Sequence, residues 1–152
     1  MYDVGVYSIE FVTGIISGKP RNVKSTAIAC ATGVDEYFNA LFEYDSNNVS
    51  GRAAAGFNAT GENSAFICGY GGYVKMRDFL WANTCELYDN TGKLLESFES
   101  DKTVDGFVYQ VNHVVDLIQN GKKESDIIPV QDTIDCAEIF DIIKEQNELG
   151  MV

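Results

Sequence analysis

The feature that most constrains this chain is a change of periodicity along it. Apolar residues recur at helical spacing from Val4 to Ile16, alternate in short β-branched and aromatic runs from Asn22 to Phe98, and return to helical spacing in Val104–Asn120 and Thr133–Leu149. The middle stretch is punctuated by Thr32-Gly33, Asp45-Ser46-Asn47-Asn48, Thr60-Gly61-Glu62-Asn63, Gly71-Gly72 and Asn90-Thr91-Gly92. Short runs joined by tight turns pair with their sequence neighbours, which predicts a mostly antiparallel open sheet of about six strands. Helix, strands, then two helices is an α+β order, with helices on one face of the sheet.

The 152 residues make one domain with a sizeable core. Eleven Lys+Arg against 23 Asp+Glu leave a formal charge of −12, which repels phosphate backbones and anionic lipid, so no nucleic-acid or membrane partner is expected. No apolar run reaches the ~20 residues of a membrane span, and the first residues lack a signal-peptide layout, so the expected location is cytoplasmic. Cys30, Cys68, Cys85 and Cys136 form no Cys-x-x-Cys pair, and a single histidine, His113, accompanies them. That pattern predicts no metal site and four buried, reduced thiols.

The first helix carries two apolar stripes: Gly5, Ile9, Val12 and Ile16, and beside them Val4, Tyr7, Phe11 and Ile15. A helix apolar nearly all round is expected to be buried on two sides. Gly18 and Pro20 end it. Asp132 reads as the N-cap of the last helix, with Asp135 in its first turn. In strand Val23–Thr32 neither alternate face is strongly polar, so the sheet face away from the helices needs a cover, most economically a second copy of the chain.

Asp3 and Tyr7 stand four residues apart, one helical turn, and can face one ligand. Gly5 between them would leave room for a flat group. A phenol near pKa ~10 needs a cation or another phenolate stabiliser to exchange protons near neutrality. The bland alternatives are Asp3 as a helix cap and Tyr7 as a core aromatic. Trp81 can serve as a substrate platform or as an interface residue, and His113, grouped with Tyr109, Asp116 and Asn120, as a substrate contact or a solvated side chain. Gly69-Tyr70-Gly71-Gly72 lies between two strands and reads as a hairpin, not as a phosphate-binding loop.

Four stretches carry a family resemblance: Asp3-Val4-Gly5-Val6-Tyr7-Ser8; Ile67-Cys68-Gly69-Tyr70-Gly71-Gly72-Tyr73-Val74; Phe107-Val108-Tyr109-Gln110-Val111-Asn112-His113-Val114; and Asn120-Gly121-Lys122-Lys123-Glu124-Ser125 leading to Pro129. In this order the chain resembles the C-terminal half of the glucose-fructose oxidoreductase / inositol dehydrogenase / MocA family, in its dihydrodiol dehydrogenase-like branch. The resemblance implies that residues 1–152 are a single C-terminal substrate-binding and oligomerisation domain. An N-terminal Rossmann domain that binds NAD or NADP, and the family's Glu-Lys-Pro lysine, would lie outside it. It implies an oxidoreductase acting on a sugar, polyol or diol by hydride transfer, inactive as this fragment alone. Tyr7 would relay the hydroxyl proton and Asp3 would orient the substrate, while Trp81 and His113 stand beside them as candidate substrate contacts on the residues' own chemistry. The open sheet face would join a homodimer or homotetramer. The competing reading is a self-contained, non-catalytic dimeric binding or scaffold module.

Overall fold

The computed structural model describes residues 1–16, 18–45, 48–58, 60–81, 84–100 and 106–149. The elements run α1 (Gly5–Ile15), β1 (Asn22–Ala29), β2 (Asp35–Glu43), β3 (Ser50–Gly56), β4 (Ser64–Gly69), β5 (Gly72–Arg77), β6 (Thr84–Asp89), β7 (Leu94–Glu99), α2 (Phe107–Gln119) and α3 (Val130–Gln146). The α+β class and the open antiparallel sheet hold. The strands divide between two sheets, one ordered β1-β2-β3 and one β4-β5-β6-β7. The chain accordingly forms two compact units, Met1–Ala59 with Lys122–Val152, and Thr60–Gly121.

In the first unit one face of the sheet collects every second residue. Val23 faces Phe42, Phe38 faces Ala27, and Ala53 faces Ala40 across the ladders. α1 and α3 cover this face, and Ile9, Phe38, Phe42, Ile139 and Ile143 are its largest fully buried side chains. Each contributes roughly 1.5–3 kcal/mol by leaving water. α1 sits unusually low over the sheet. A Cβ on Gly5 would lie 2.5 Å from Phe38 Cε1, and one on Gly51 would lie 2.3 Å from Val12 Cγ1.

This seating corrects two expectations. Gly5 is buried against Phe38, so the space its missing side chain leaves is filled by the sheet and not by a ligand. The helix is locked on one side only: the Gly5–Ile9 stripe is buried, while on the second stripe Tyr7 and Ile15 are 53% and 50% exposed.

β1 is an edge strand of its sheet, and α3 closes that edge with side chains. Gln146 Oε1 accepts from the Ser25 amide, Asn147 Oδ1 accepts from the Ala27 amide, and Gln146 Nε2 donates to the Val23 carbonyl. A row of edge groups that could pair with another strand is thereby occupied.

α3 starts three residues before the expected Thr133. Its N-cap is the extended Pro129, and the Val130 amide donates to Glu124 Oε1, so Asp132 lies in the first turn and caps nothing. Proline lacks the amide that a helix start leaves orphaned and has its φ already set, which lets it open the helix. The helix ends at Gln146, short of Leu149, because Asn147 caps it and Glu148 takes the left-handed conformation. β3 ends at Gly56, Phe57 is exposed, and Ala59 is outside the described residues.

In the second unit the Gly69-Tyr70-Gly71-Gly72 segment is the expected hairpin, with Gly69 opposite Gly72. At the β6–β7 turn Asp89 Oδ1 accepts from the amides of Thr91 and Lys93 and from the Thr91 hydroxyl, which holds its carboxyl below the usual range. One face of this sheet pairs Tyr73 with Tyr88 in a stack 4.9 Å apart and sets Lys75 over Phe66 at 5.7 Å. α2 runs from Phe107 rather than from Val104, residues 101–105 being outside the described set, and none of its residues is buried. All four cysteines are free, but only Cys136 is buried. Cys30 lies just past the end of β1, where hydrogen bonding to Thr32 lowers its thiol pKa. Cys68 is exposed on an open sheet face and Cys85 half-buried. Among the described residues no helix is long and apolar enough to cross a membrane.

Candidate active site

Because Gly5, Ile9 and Val12 face the sheet, helical geometry turns Tyr7 outward. Tyr7 is two residues from Ile9, about 160° round the helix, and points away from the core. The core-aromatic reading of Tyr7 therefore fails. Asp3 precedes the helix in a turn in which the Val6 amide donates to the Met1 carbonyl. The N-cap is Val4, with no side-chain cap, so the capping reading of Asp3 fails as well. Both residues are exposed at the same end of α1, and among the described residues neither side chain is engaged in a hydrogen bond or an ion pair.

Glu10 extends this edge and was missed by the sequence reading, although Asp3, Tyr7 and Glu10 follow the i, i+4, i+7 spacing of one helix face. Its carboxyl is half-buried against α3 and pushed above the ordinary value of 4.5, first by burial and then by the charge of Asp132. Cys136 lies deeper on α3, and its thiol is pushed up to about 12, first by burial and then by Glu10. The cations nearby are engaged. Lys19 pairs with Glu138, and Lys144 Nζ sits 5.6 Å from the Tyr2 ring centroid.

The Glu10 shift has a signed consequence for stability. A carboxyl whose folded pKa is raised favours folding while protonated, so its contribution is full below 4.5 and is lost as pH rises through the folded value. Glu10→Gln should remove this loss and stabilise the chain at neutral pH by a few tenths of a kcal/mol to at most ~1 kcal/mol, the half-exposed group being screened by solvent. Urea midpoints of both proteins at acid and neutral pH measure it. A variant that gains nothing on going from acid to neutral pH contradicts it.

Trp81 and His113 belong to the second unit. Trp81 is 60% exposed in the β5–β6 connection, its amide donating to the Asp78 carbonyl. His113 is half-buried on α2. The described residues include no glycine-rich strand-to-helix turn of the kind that cradles a dinucleotide pyrophosphate, since Gly69–Gly72 joins two antiparallel strands.

No protein-family model matches the chain. Trans-1,2-dihydrobenzene-1,2-diol dehydrogenase of Xenopus laevis is 28% identical over 152 residues, covering 96% of this chain and 46% of that protein. The Homo sapiens protein of the same name is 25% identical over 151 residues, covering 95% and 45%. The chain is similar to the dihydrodiol dehydrogenases. It spans just under half their length.

Among solved structures, the UDP-N-acetylglucosamine 3-dehydrogenase GnnA from Acidithiobacillus ferrooxidans superposes with a TM-score of 0.80 at 14% identity, over 96% of this chain and 46% of that one. The dehydrogenase MviM from Clostridium difficile gives 0.70 at 15%, over 94% and 45%. The super-repressor mutant of Gal80p from Saccharomyces cerevisiae gives 0.65 at 13%, over 93% and 45%. The resemblance to the glucose-fructose oxidoreductase / inositol dehydrogenase / MocA family is borne out. Its four stretches fall on the start of α1, the β4–β5 hairpin, α2 and the segment that leads into α3. Dehydrogenases and a repressor share the fold, so the fold alone does not decide whether a member turns over substrate.

Proposed function

We propose that this chain is the substrate-side half of an NAD(P)-dependent oxidoreductase acting on a sugar, polyol or diol. The observation that carries the reading is the two-sidedness of α1. Its inner stripe is seated on the sheet through the close approaches at Gly5 and Gly51, while Tyr7 stands open on its outer side and Asp3 is exposed in the turn before it, unspent on capping or core. A helix that presents a phenol, with an acid exposed in the turn just before it, is suited to bind a hydroxyl and move its proton. Asp3 accepts a hydrogen bond from one substrate hydroxyl and orients it, and the Tyr7 oxygen exchanges the proton of the reacting one. The nicotinamide accepts or returns the hydride, and a companion cofactor-binding half, as long as the unmatched part of the relatives, holds it.

Self-association is part of the same reading. The uncovered face of the β1-β2-β3 sheet exposes Ile28 and Leu41. Since α3 side chains occupy the β1 edge, copies would meet through a sheet face, giving a homodimer or homotetramer.

The test has two parts. The coding sequence upstream of Met1 should continue in frame into a cofactor-binding half, and the chain alone should leave NADH fluorescence unchanged on titration. Upstream stop codons with a ribosome-binding site, or tight NADH binding by the isolated chain, overturn the proposal. The Gal80p likeness supports the second reading, a non-catalytic dimeric module of the same fold. That reading requires activity to be indifferent to Tyr7.

A further inference from the structure

We propose that the β1 edge is a strand-docking site held closed by α3: the side-chain amides of Gln146 and Asn147 take the hydrogen bonds that β1 of a second copy would otherwise take, and so confine association of copies to other surfaces. This role of the edge is independent of the oxidoreductase reading.

β1 pairs with β2 along its length and has no strand on its other side among the described residues. In an antiparallel ladder alternate residues turn both backbone groups to the same neighbour. The outward set here is Val23, Ser25 and Ala27, and α3 meets it with side chains. Gln146 Nε2 donates to the Val23 carbonyl at 2.7 Å while its Oε1 accepts from the Ser25 amide at 2.9 Å, serving groups two residues apart as a neighbouring strand does. Asn147 Oδ1 accepts from the Ala27 amide at 2.8 Å. The Ser25 hydroxyl donates to Gln146 Oε1 and accepts from Asn147 Nδ2, which fixes how both amides are turned. Ile139, Phe140 and Ile143 bury the helix that carries them, yet Gln146 itself is exposed. The edge is therefore closed by amide groups and not by an apolar cover.

The occupant kept out is a second β1. Edge strands are commonly guarded by charge or proline, and β7, at an edge of the other sheet, carries Glu96 and Glu99. β1 has no proline, and Lys24 is the one charge in its eight residues. Lys24 moreover pairs with Glu43 of β2. Two β1 strands laid antiparallel about Ser25 set Val23 opposite Ala27 and Lys24 opposite Thr26, so apolar meets apolar and no like charges are opposed. That register uses the Val23 carbonyl and the Ser25 and Ala27 amides, the same three groups that α3 holds.

Gln146→Ala with Asn147→Ala opens the edge and leaves Ile139, Phe140 and Ile143 in place. Hydrogen exchange resolved to the Ser25 and Ala27 amides, together with sedimentation, is measured on the 152-residue chain and on this variant between about 1 and about 100 μM. At the low concentration the two amides are expected to exchange at least about tenfold faster in the variant. At the high one their protection should return, as the variant associates at least about tenfold more tightly than the wild type. Adding Ser25→Pro, which removes the central donor on the outward side of an edge strand, should abolish that gain. Should that protein not fold, Thr26→Lys, which opposes like charges across the pairing at Lys24, reads the same question. Unchanged exchange on opening, fast exchange at every concentration, or a gain that the blocking substitution leaves in place overturns the proposal. Gln146→Ala alone is read the same way if the double variant fails to fold, since it frees Val23 and Ser25 and keeps the bond from Asn147 Nδ2 to the Ile143 carbonyl at the end of α3. Association of the wild type through a sheet face leaves these amides on α3, so its success or failure is read apart from this one.

Discussion

Tyr7→Phe is expected to lower kcat of the complete dehydrogenase by about 10²- to 10⁴-fold, the usual contribution of a positioned proton-transfer group. The substitution removes one oxygen from a side chain that is 53% exposed and turned away from the sheet, so it takes nothing from the core. Stability should therefore move by less than about 0.5 kcal/mol, as for surface changes generally. The decisive measurement pairs nicotinamide absorbance under saturating diol with a urea midpoint of the same preparation. Lost turnover at unchanged midpoint assigns the proton to Tyr7. Retained turnover removes Tyr7 from the chemistry, and a measured binding or regulatory activity that survives would favour the non-catalytic module.

The second large effect is structural and concerns what holds that helix in place. Gly51→Ala puts a methyl 2.3 Å from Val12 Cγ1, 3.3 Å from Ile16 Cδ1 and 3.4 Å from Phe42 Cδ2. Ile16 follows the helix and Phe42 is fully buried, so α1 must lift or the strand must shift. Overpacking of this kind costs about 1–3 kcal/mol and occasionally more. Val12→Ala removes the nearest offending methyl, so the double variant should regain at least about 1 kcal/mol over Gly51→Ala alone. A double-mutant cycle from chemical denaturation measures the coupling. Additive losses would show that the close seating of α1 on β3 is not what the glycine serves.

Much of the architecture was legible because it is written in local periodicity. The alternation of Phe38, Ala40 and Phe42, the Asp89–Lys93 turn and the Gly69–Gly72 hairpin follow from neighbours in sequence. The start of α3 was misplaced because Asp132 has the chemistry of a cap, while Pro129 and the distant acceptor Glu124 do the work. Glu10 was overlooked although its spacing from Asp3 and Tyr7 was in view. What singles it out is Asp132, 122 residues further along the chain, which only folding brings near.

The order of helices and antiparallel strands, the acidic balance and the spacing of Tyr7 and Glu10 along α1 are properties of the sequence by itself, since helix and strand periods act over a few residues. Which side of α1 meets the sheet, that Gly5 and Gly51 are points of contact rather than openings, that the strands among the described residues part into two sheets, and that Gln146 and Asn147 close the β1 edge were decided by the tertiary structure. The physical reason is that these depend on non-bonded contacts between residues far apart in the chain, where a methyl group more or less determines how closely two elements can approach.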